Sequence, residues 1–459
     1  MTRIKAPGPR GGRSLVRNVV SWRKDPAGFL LAAAQDHGGV ARLQLGPYLT
    51  HLVTDPAAVY RVVVENHRNY TRGRLYEQFK LVMGRGLLTS DGAYWRGHRR
   101  GVQPLFLSKA IGAIVPNVVE ATNEMLDRWE RSAADGEPVD LVAEMLRLTM
   151  VTLSRSLFGY DVDDTVPAVK QVVDAGLELM FMHGMISEKL PRWVPNARNR
   201  QIREIQGFLT EFVATIRDNH SRTGQGPLVE LMEAAVDPET GRRWTDQEIR
   251  DELITVYMAG HETTATAAAW TLHAIATHSW IDEELTGEAQ RVLAGRDPVH
   301  ADADQLTFAG MVVQEALRMY PPIWIYPRDA VDDDELNGYH IPAGSSVVLS
   351  PLVSQRNPEL FPNPHVFDPH RFAGDAVKRL PRLSYYPFGG GPRMCVGNLM
   401  ALLELKLVIS MITQRFRLEP VSGAQVPYGH SIISLRPEGE LRVRLRPRTR
   451  ELAAAGGRS

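Results

Sequence analysis

The residues most able to do chemistry stand in YYPFGGGPRMCVGNLMALLE, which holds the chain's one cysteine, Cys395. The run from Phe388 to Met394 carries little side-chain bulk around its glycines, so its backbone can lie close against a flat ligand. After the cysteine, VGNLMALLELKLVISMI has helical periodicity. That places the sulfur near a helix N-terminus, where the dipole and free N–H groups favour thiolate over thiol. Gly397, one turn in, would let the helix approach a planar group without a Cβ in the way. A thiolate beside an open, glycine-lined surface suits the axial ligand of a haem. A phosphate loop would continue with Lys-Ser/Thr after the glycines, whereas this one reads GPRMCVG. A cysteine hydrolase needs a histidine base, and fourteen histidines leave that reading open. An inert buried cysteine would not explain the three glycines. Haem ligation accounts for most of the stretch.

A second candidate lies in TDQEIRDELITVYMAGHETTATAAAWTLHAIATH. Thr245 followed by Glu248 is a capping-box start, and apolar residues are nearly continuous from Leu253 to Ile275. This predicts a helix of roughly 50 Å, apolar on most faces, running through the middle of the molecule. Gly260, His261, Glu262, Thr263 and Thr264 interrupt it with polar groups, and burying an unpartnered carboxylate is costly. A kink at Gly and Thr is the structural alternative. HETTA is no zinc-protease motif, since Ala265 stands where HExxH needs its second histidine.

The elements that must position these residues are mostly helical. Short β-type runs, VARLQLGPYLTHLVT near the start and LNGYHIPAGSSVVLSP after residue 335, flank a helical middle. No internal repeat or low-complexity linker divides the 459 residues, so one large domain is expected. Its 44% hydrophobic and 23% charged composition fits a globular protein with a substantial core. Lysine plus arginine equal aspartate plus glutamate, 53 each, so no basic field suggests nucleic acid. A single cysteine cannot form an intramolecular disulfide, which fits a reducing compartment. The apolar run AGFLLAAA is too short to span a bilayer. A cytoplasmic, monomeric protein without a membrane anchor is the expectation.

FGGGPRMCVG fits FxxGxRxCxG, and on this motif the chain resembles the cytochrome P450 superfamily. Other landmarks follow in the family's order. AGHETT resembles its oxygen-activating central helix, with Glu262 and Thr263 at the acid and threonine positions. EALR, Glu315 to Arg318, matches its ExxR pair, and PHRF places Arg371 as the third member of that triad. ExxR alone is uninformative, because ENHR, EMLR and EAQR also occur; the Pro321-Pro322 stop after Arg318 selects this copy. WRGHR puts Trp95 and Arg99 at haem-propionate positions, and Arg328 in YPRDA and Arg393 occupy similar ones. Two departures, Ser279 after His278 and Gln355-Arg356 before PHRF, stand away from the chemistry.

The resemblance implies a mainly α fold with small β-sheets, and haem b (iron protoporphyrin IX) held between the central helix and the cysteine-loop helix. The catalytic domain is expected at 21–446, with an N-terminal extension at 1–20 and a tail at 447–459. Cys395 would ligate the iron; Trp95, Arg99, Arg328, Phe388, Arg393 and Gly397 would bind the cofactor. Glu262 and Thr263, in an unwound stretch of the central helix, would deliver protons. Glu315, Arg318 and Arg371 would brace the fold. Ala259, Met180, Met182, Ile323, Trp324, Ile325 and Ile432 would line a hydrophobic substrate pocket. The implied reaction is O2-dependent insertion of one oxygen atom into a terpenoid or polyketide. Electrons would come from a ferredoxin and its NAD(P)H-dependent reductase, docking near Arg96, Arg100, Lys378, Arg379 and Arg382. A haem-thiolate peroxygenase or isomerase is the first alternative, although the acid–threonine pair argues against it. A haem sensor is the second.

Overall fold

The computed structural model describes residues 4–9, 12–45, 48–162, 196–237, 240–421, 426–428 and 434–448. The central helix spans Asp246–Thr277, about 48 Å at 1.5 Å per residue. It starts at the expected capping box: Thr245 Oγ1 accepts from Glu248 N–H and Glu248 Oε2 accepts from Thr245 N–H, at 3.3 and 2.8 Å. Arg242 adds two bonds to the same carboxylate at 2.9 and 2.8 Å, pulling it down to about 2.

The helix is hydrogen-bonded through the polar stretch rather than unwound there, a correction to the expectation. Thr263 and Thr264 hydroxyls turn back onto the carbonyls of Ala259 and Gly260 at 2.8 and 3.0 Å, a local pairing that leaves the ladder intact. Gly260 acts in packing rather than in kinking. A Cβ there would stand 2.9 Å from Leu153 Cδ2, so glycine lets the helix Leu141–Leu153 lie close. Thr149 on that helix donates to the His261 carbonyl at 2.9 Å.

The helices Thr307–Met319 and Asn398–Arg415 pack against the central helix, and one apolar core surrounds all of them. Both predicted β-runs form strands; Tyr339–Ile341 of the second pairs in a small separate sheet, and its Ser346–Leu349 joins the sheet of the first. Strands Val40–Leu45 and Tyr48–Val53 pair antiparallel, Val40 opposite Val53. The second pairs parallel with Ser346–Leu349, and that strand pairs antiparallel with Tyr326–Ala330, which carries Arg328. The sheet thus fixes one wall of the site against the helical core. The first helix, Gly12–Lys24, runs across residue 20, where the sequence reading places the edge of the N-terminal extension. Among the described residues no single helix is long and apolar enough to cross a membrane.

Candidate active site

The cysteine loop folds back on itself. Cys395 N–H donates to the Phe388 carbonyl at 2.9 Å, and Met394 N–H to that of Gly391 at 3.1 Å. Tyr326 braces the loop from the sheet, its hydroxyl on the Pro387 carbonyl at 2.9 Å. The glycines have reasons within the protein itself. Gly389 and Gly391 take φ of +73° and +65°, the left-handed region. A Cβ on Gly391 would lie 1.9 Å from the Val63 carbonyl oxygen, and one on Gly390 would lie 2.7 Å from Leu383 Cδ2. Gly389 and Gly391 serve the turn, and Gly390 and Gly391 the close packing against protein. Gly397 caps the helix Asn398–Arg415, and a Cβ there would meet only Phe106, at 3.7 Å.

The Cys395 thiol is exposed on one side yet deep enough that burial pushes it above an ordinary thiol, while Gly397 N–H and the Arg99 charge pull it down. Gly397 N–H and the Arg99 charge are the influences that favour thiolate, and burial outweighs them. Arg99 donates from Nη1 to the Met394 carbonyl at 2.8 Å, so it flanks the sulfur.

The other expected cations gather elsewhere. Arg393 lies 4.2 Å over the Trp95 ring and donates to the Ser90 carbonyl at 3.1 Å and to Asp91. Burial, together with the charges of Arg72 and Arg328, lowers Arg393 to about 9. Arg328 is also lowered, by burial and by Arg72. Arg72 belongs to this cluster although no motif marks it; it bonds Tyr76 at 3.3 Å. Arg72 Nε and Arg393 Nη1 are buried without an acceptor, so the cluster is short of anions.

On the central helix, Ala259 is exposed and Gly260 and Thr263 half-buried, amid buried neighbours. Glu262 is buried and accepts from Arg436 Nε at 2.8 Å. That arginine, 174 positions away in sequence, has no local signal that could have revealed it.

The ExxR pair is completely buried. Arg318 Nε and Nη2 bind the two Glu315 oxygens at 2.6 and 2.8 Å. Nη1 reaches the carbonyls of Gln355 and Pro364, both at 2.9 Å. Arg371 Nε is 3.4 Å from Glu315 without hydrogen-bond alignment, and its Nη2 donates to Asn363 at 2.8 Å. The triad therefore assembles, with Arg371 as a looser member. The departure at Gln355 is built in: its amide donates to the Arg318 carbonyl at 3.0 Å and accepts from Tyr386 N–H at 3.0 Å.

Residues 7–441 match the family model described as Cytochrome P450. The chain belongs to the cytochrome P450 family. Its relatives include "Cyclooctatin synthase" of Streptomyces melanosporofaciens, 32% identical over 91% of this chain and 90% of the relative. "Cyclooctat-9-en-7-ol 5-monooxygenase" of the same organism is 31% identical over 89% and 88%. "Pentalenene oxygenase" of Streptomyces avermitilis is 29% identical over 96% and 97%. The P450 is thus an oxidoreductase, a monooxygenase of the haem-thiolate type.

The residues present fit that group. A sulfur open on one side, with N–H and guanidinium support, matches an axial ligand. The unfilled Arg72 Nε and Arg393 Nη1 match the carboxylates of a porphyrin. Of the expected pocket wall in this P450, Ala259 and Ile323 have accessible surface. Trp324, 1% exposed, and Ile325 instead pack with Trp22, Leu30 and Leu352 beneath the N-terminal helices. Trp324 stacks on Trp22 with ring centres 6.4 Å apart. This corrects the expectation: the Trp324 and Ile325 side chains are taken up by the core under the N-terminal helices rather than by the pocket wall. Met180, Met182 and Ile432 lie outside the described residues.

Glu404 of the P450 stands on the cysteine-loop helix with its Oε1 unpartnered, and burial pushes its carboxyl up to about 8. Because the folded value exceeds the ordinary 4.5, the cost is absent below that pH, grows as pH rises, and is complete near 8. Glu404→Gln should flatten this loss, at most about 1.4 kcal/mol per pH unit. Urea midpoints of both proteins from pH 5 to 8 check it, and parallel curves would contradict it.

Proposed function

We propose that this P450 is a cytoplasmic haem b monooxygenase that hydroxylates or epoxidises a hydrophobic terpenoid, with electrons from a separate ferredoxin and its NAD(P)H-dependent reductase. The observation that carries the reading is the open Cys395 sulfur, supported by Gly397 N–H and Arg99, in a chain with an anion-deficient arginine cluster. The terpenoid class rests on relatives whose names specify cyclooctat-9-en-7-ol and pentalenene. When bound, the haem-thiolate supplies activation of O2 at iron and insertion of one oxygen atom into a C–H bond or alkene.

The chain's own residues bind, orient and supply protons. Cys395 would hold the haem iron through its sulfur. Arg72, Arg328 and Arg393 would receive the haem carboxylates as charge-assisted donors, with Trp95 seating Arg393. Arg99 holds the loop at Met394 and lends its charge to the sulfur. Phe388 closes the loop through its carbonyl. Gly397 leaves the helix entrance without a side chain. Thr263 offers a hydroxyl beside accessible Ala259, and Glu262, oriented by Arg436, stands next to it as the proton source. Ala259 and Ile323 contribute an apolar wall. Arg96, Arg100, Lys378, Arg379 and Arg382 are exposed and would meet an acidic ferredoxin by charge complementarity.

Thr263→Ala tests the proton-delivery step. Haem content should be unchanged, while product formation falls on the order of a hundredfold. NADPH should still be consumed, its electrons recovered as hydrogen peroxide. Unchanged product per NADPH would remove Thr263 from the mechanism.

A further inference from the structure

Glu252 lies on the central helix with no exposed surface, and the proposed chemistry has no use for it. Its oxygens accept Leu87 N–H at 3.0 and 2.9 Å, and Oε2 pairs with His98 Nδ1 at 3.0 Å. Burial pushes the Glu252 carboxyl up, and the His98 bond is the largest opposing influence. His98 is itself 2% exposed and sits on the helix Gly92–Val102 between Trp95 and Arg99. Its ring is sandwiched between Tyr94 and Trp244, with centroids at 4.1 and 4.2 Å, and Nε2 is 3.9 Å from Glu248. Trp244 closes on Gly101, where a Cβ would come within 2.5 Å of its ring.

The loop that Glu252 holds is tightly seated too. A Cβ on Gly86 would lie 2.0 Å from Thr255 Oγ1, Arg85 N–H donates to Asp251 at 2.7 Å, and Ser90 Oγ donates to the Gly86 carbonyl at 2.8 Å. The loop delivers Ser90 and Asp91, the two residues that hold Arg393 Nη2. Two branches therefore leave Glu252 and meet again at Arg393. One runs through Leu87 to Asp91. The other runs through His98 to Trp95, whose ring carries Arg393.

We propose that Glu252 and His98 are positioning residues for the haem-carboxylate pocket: one buried carboxylate ties the Asp91 loop and the Trp95 helix to the central helix, so that Arg393 is presented at a fixed place. The inference rests on the haem reading above and goes beyond it by naming two residues that would not touch the cofactor. A buried acid left without its partner is costly, so the pair holds its elements together more rigidly than apolar packing, which tolerates sliding and repacking.

The test uses holoenzyme of His98→Ala, His98→Asn, Glu252→Gln and Val102→Ala, the last a buried residue of the same helix with no part in the pocket. The readouts are the rate of haem transfer to excess apomyoglobin and the ferric/ferrous midpoint potential without substrate. His98→Ala should release haem about tenfold faster, as expected for losing a bond to a charged group, and shift the potential. His98→Asn, whose amide can place a donor where Nδ1 stood, should recover most of both. Val102→Ala should lower Tm and leave both readouts alone. If His98→Ala fails to fold, Glu252→Gln decides, since its NH2 must face one of the two donors; its potential must shift. Wild-type release and potential in the variants that fold, or equal changes in Val102→Ala at matched Tm, would overturn the proposal. Failure of the haem reading itself is distinguishable: wild-type protein would then lack a thiolate-ligated haem spectrum.

Discussion

Cys395→Ala should yield a folded protein with no monooxygenase turnover and no thiolate signature in the spectrum of its reduced carbon monoxide complex. The loss is chemical rather than structural. Apart from the Gly397 N–H contact to the sulfur, the hydrogen bonds that shape the loop here use the backbone of these two residues: Cys395 N–H on Phe388, Met394 N–H on Gly391, and the Met394 carbonyl accepting from Arg99. Alanine keeps all three and removes only the sulfur. What disappears is the one group that burial pushes up and that Gly397 N–H and Arg99 draw toward thiolate. Urea denaturation of the haem-free proteins should therefore give nearly the same midpoint for variant and wild type. Turnover retained in Cys395→Ala would mean that another residue ligates the iron.

Arg318→Ala should be the most damaging substitution for the fold. It leaves the Glu315 carboxylate, wholly without exposure, facing only the more loosely placed Arg371, and withdraws donors from the carbonyls of Gln355, Pro364 and Val366. Breaking one side of a buried pair costs about 3–5 kcal/mol, a large share of the roughly 5–15 kcal/mol that holds a typical domain together. The damage reaches the cysteine loop, because Gln355 accepts from Tyr386 N–H, and the Gly389 N–H rests on the Tyr386 carbonyl. Arg318→Lys should not rescue it, since an ammonium cannot reproduce the fork that spans Glu315 and three carbonyls. Removing both charges, in Glu315→Leu with Arg318→Leu, should cost less than Arg318→Ala alone. Denaturation midpoints and haem content of the three proteins check this order, and an Arg318→Ala midpoint equal to wild type would contradict it.

What the sequence reveals here depends on how far apart the partners lie. Thr245 and Glu248 are three residues apart, so the start of the central helix is legible without a structure. The same spacing makes Glu315 and Arg318 visible as a pair, but their complete burial is decided by carbonyls near 355 to 366, which no local pattern displays. Arg72 and Arg436 are harder still. Each is an ordinary arginine in its own segment, and only the fold brings one to Arg393 and the other to Glu262. The glycines of the cysteine loop show a different limit. Their number is legible, whereas their reason lies in Val63 and Leu383, from a segment more than 300 residues away and a loop just upstream. Trp324 is legible as apolar and near the site, but its burial depends on Trp22, from the first helix.

Labelled oxygen tests the proposal that Cys395 anchors a haem which transfers one atom of O2 to a terpenoid. The purified holoenzyme, a ferredoxin, its reductase and NADPH would be incubated under 18O2 with a panel of terpenoid hydrocarbons and alcohols, and products weighed by mass spectrometry. A product carrying one 18O atom is expected, formed only when NADPH and ferredoxin are both present. A product formed equally with hydrogen peroxide alone and no reductant, or one whose new oxygen comes from water, would contradict it.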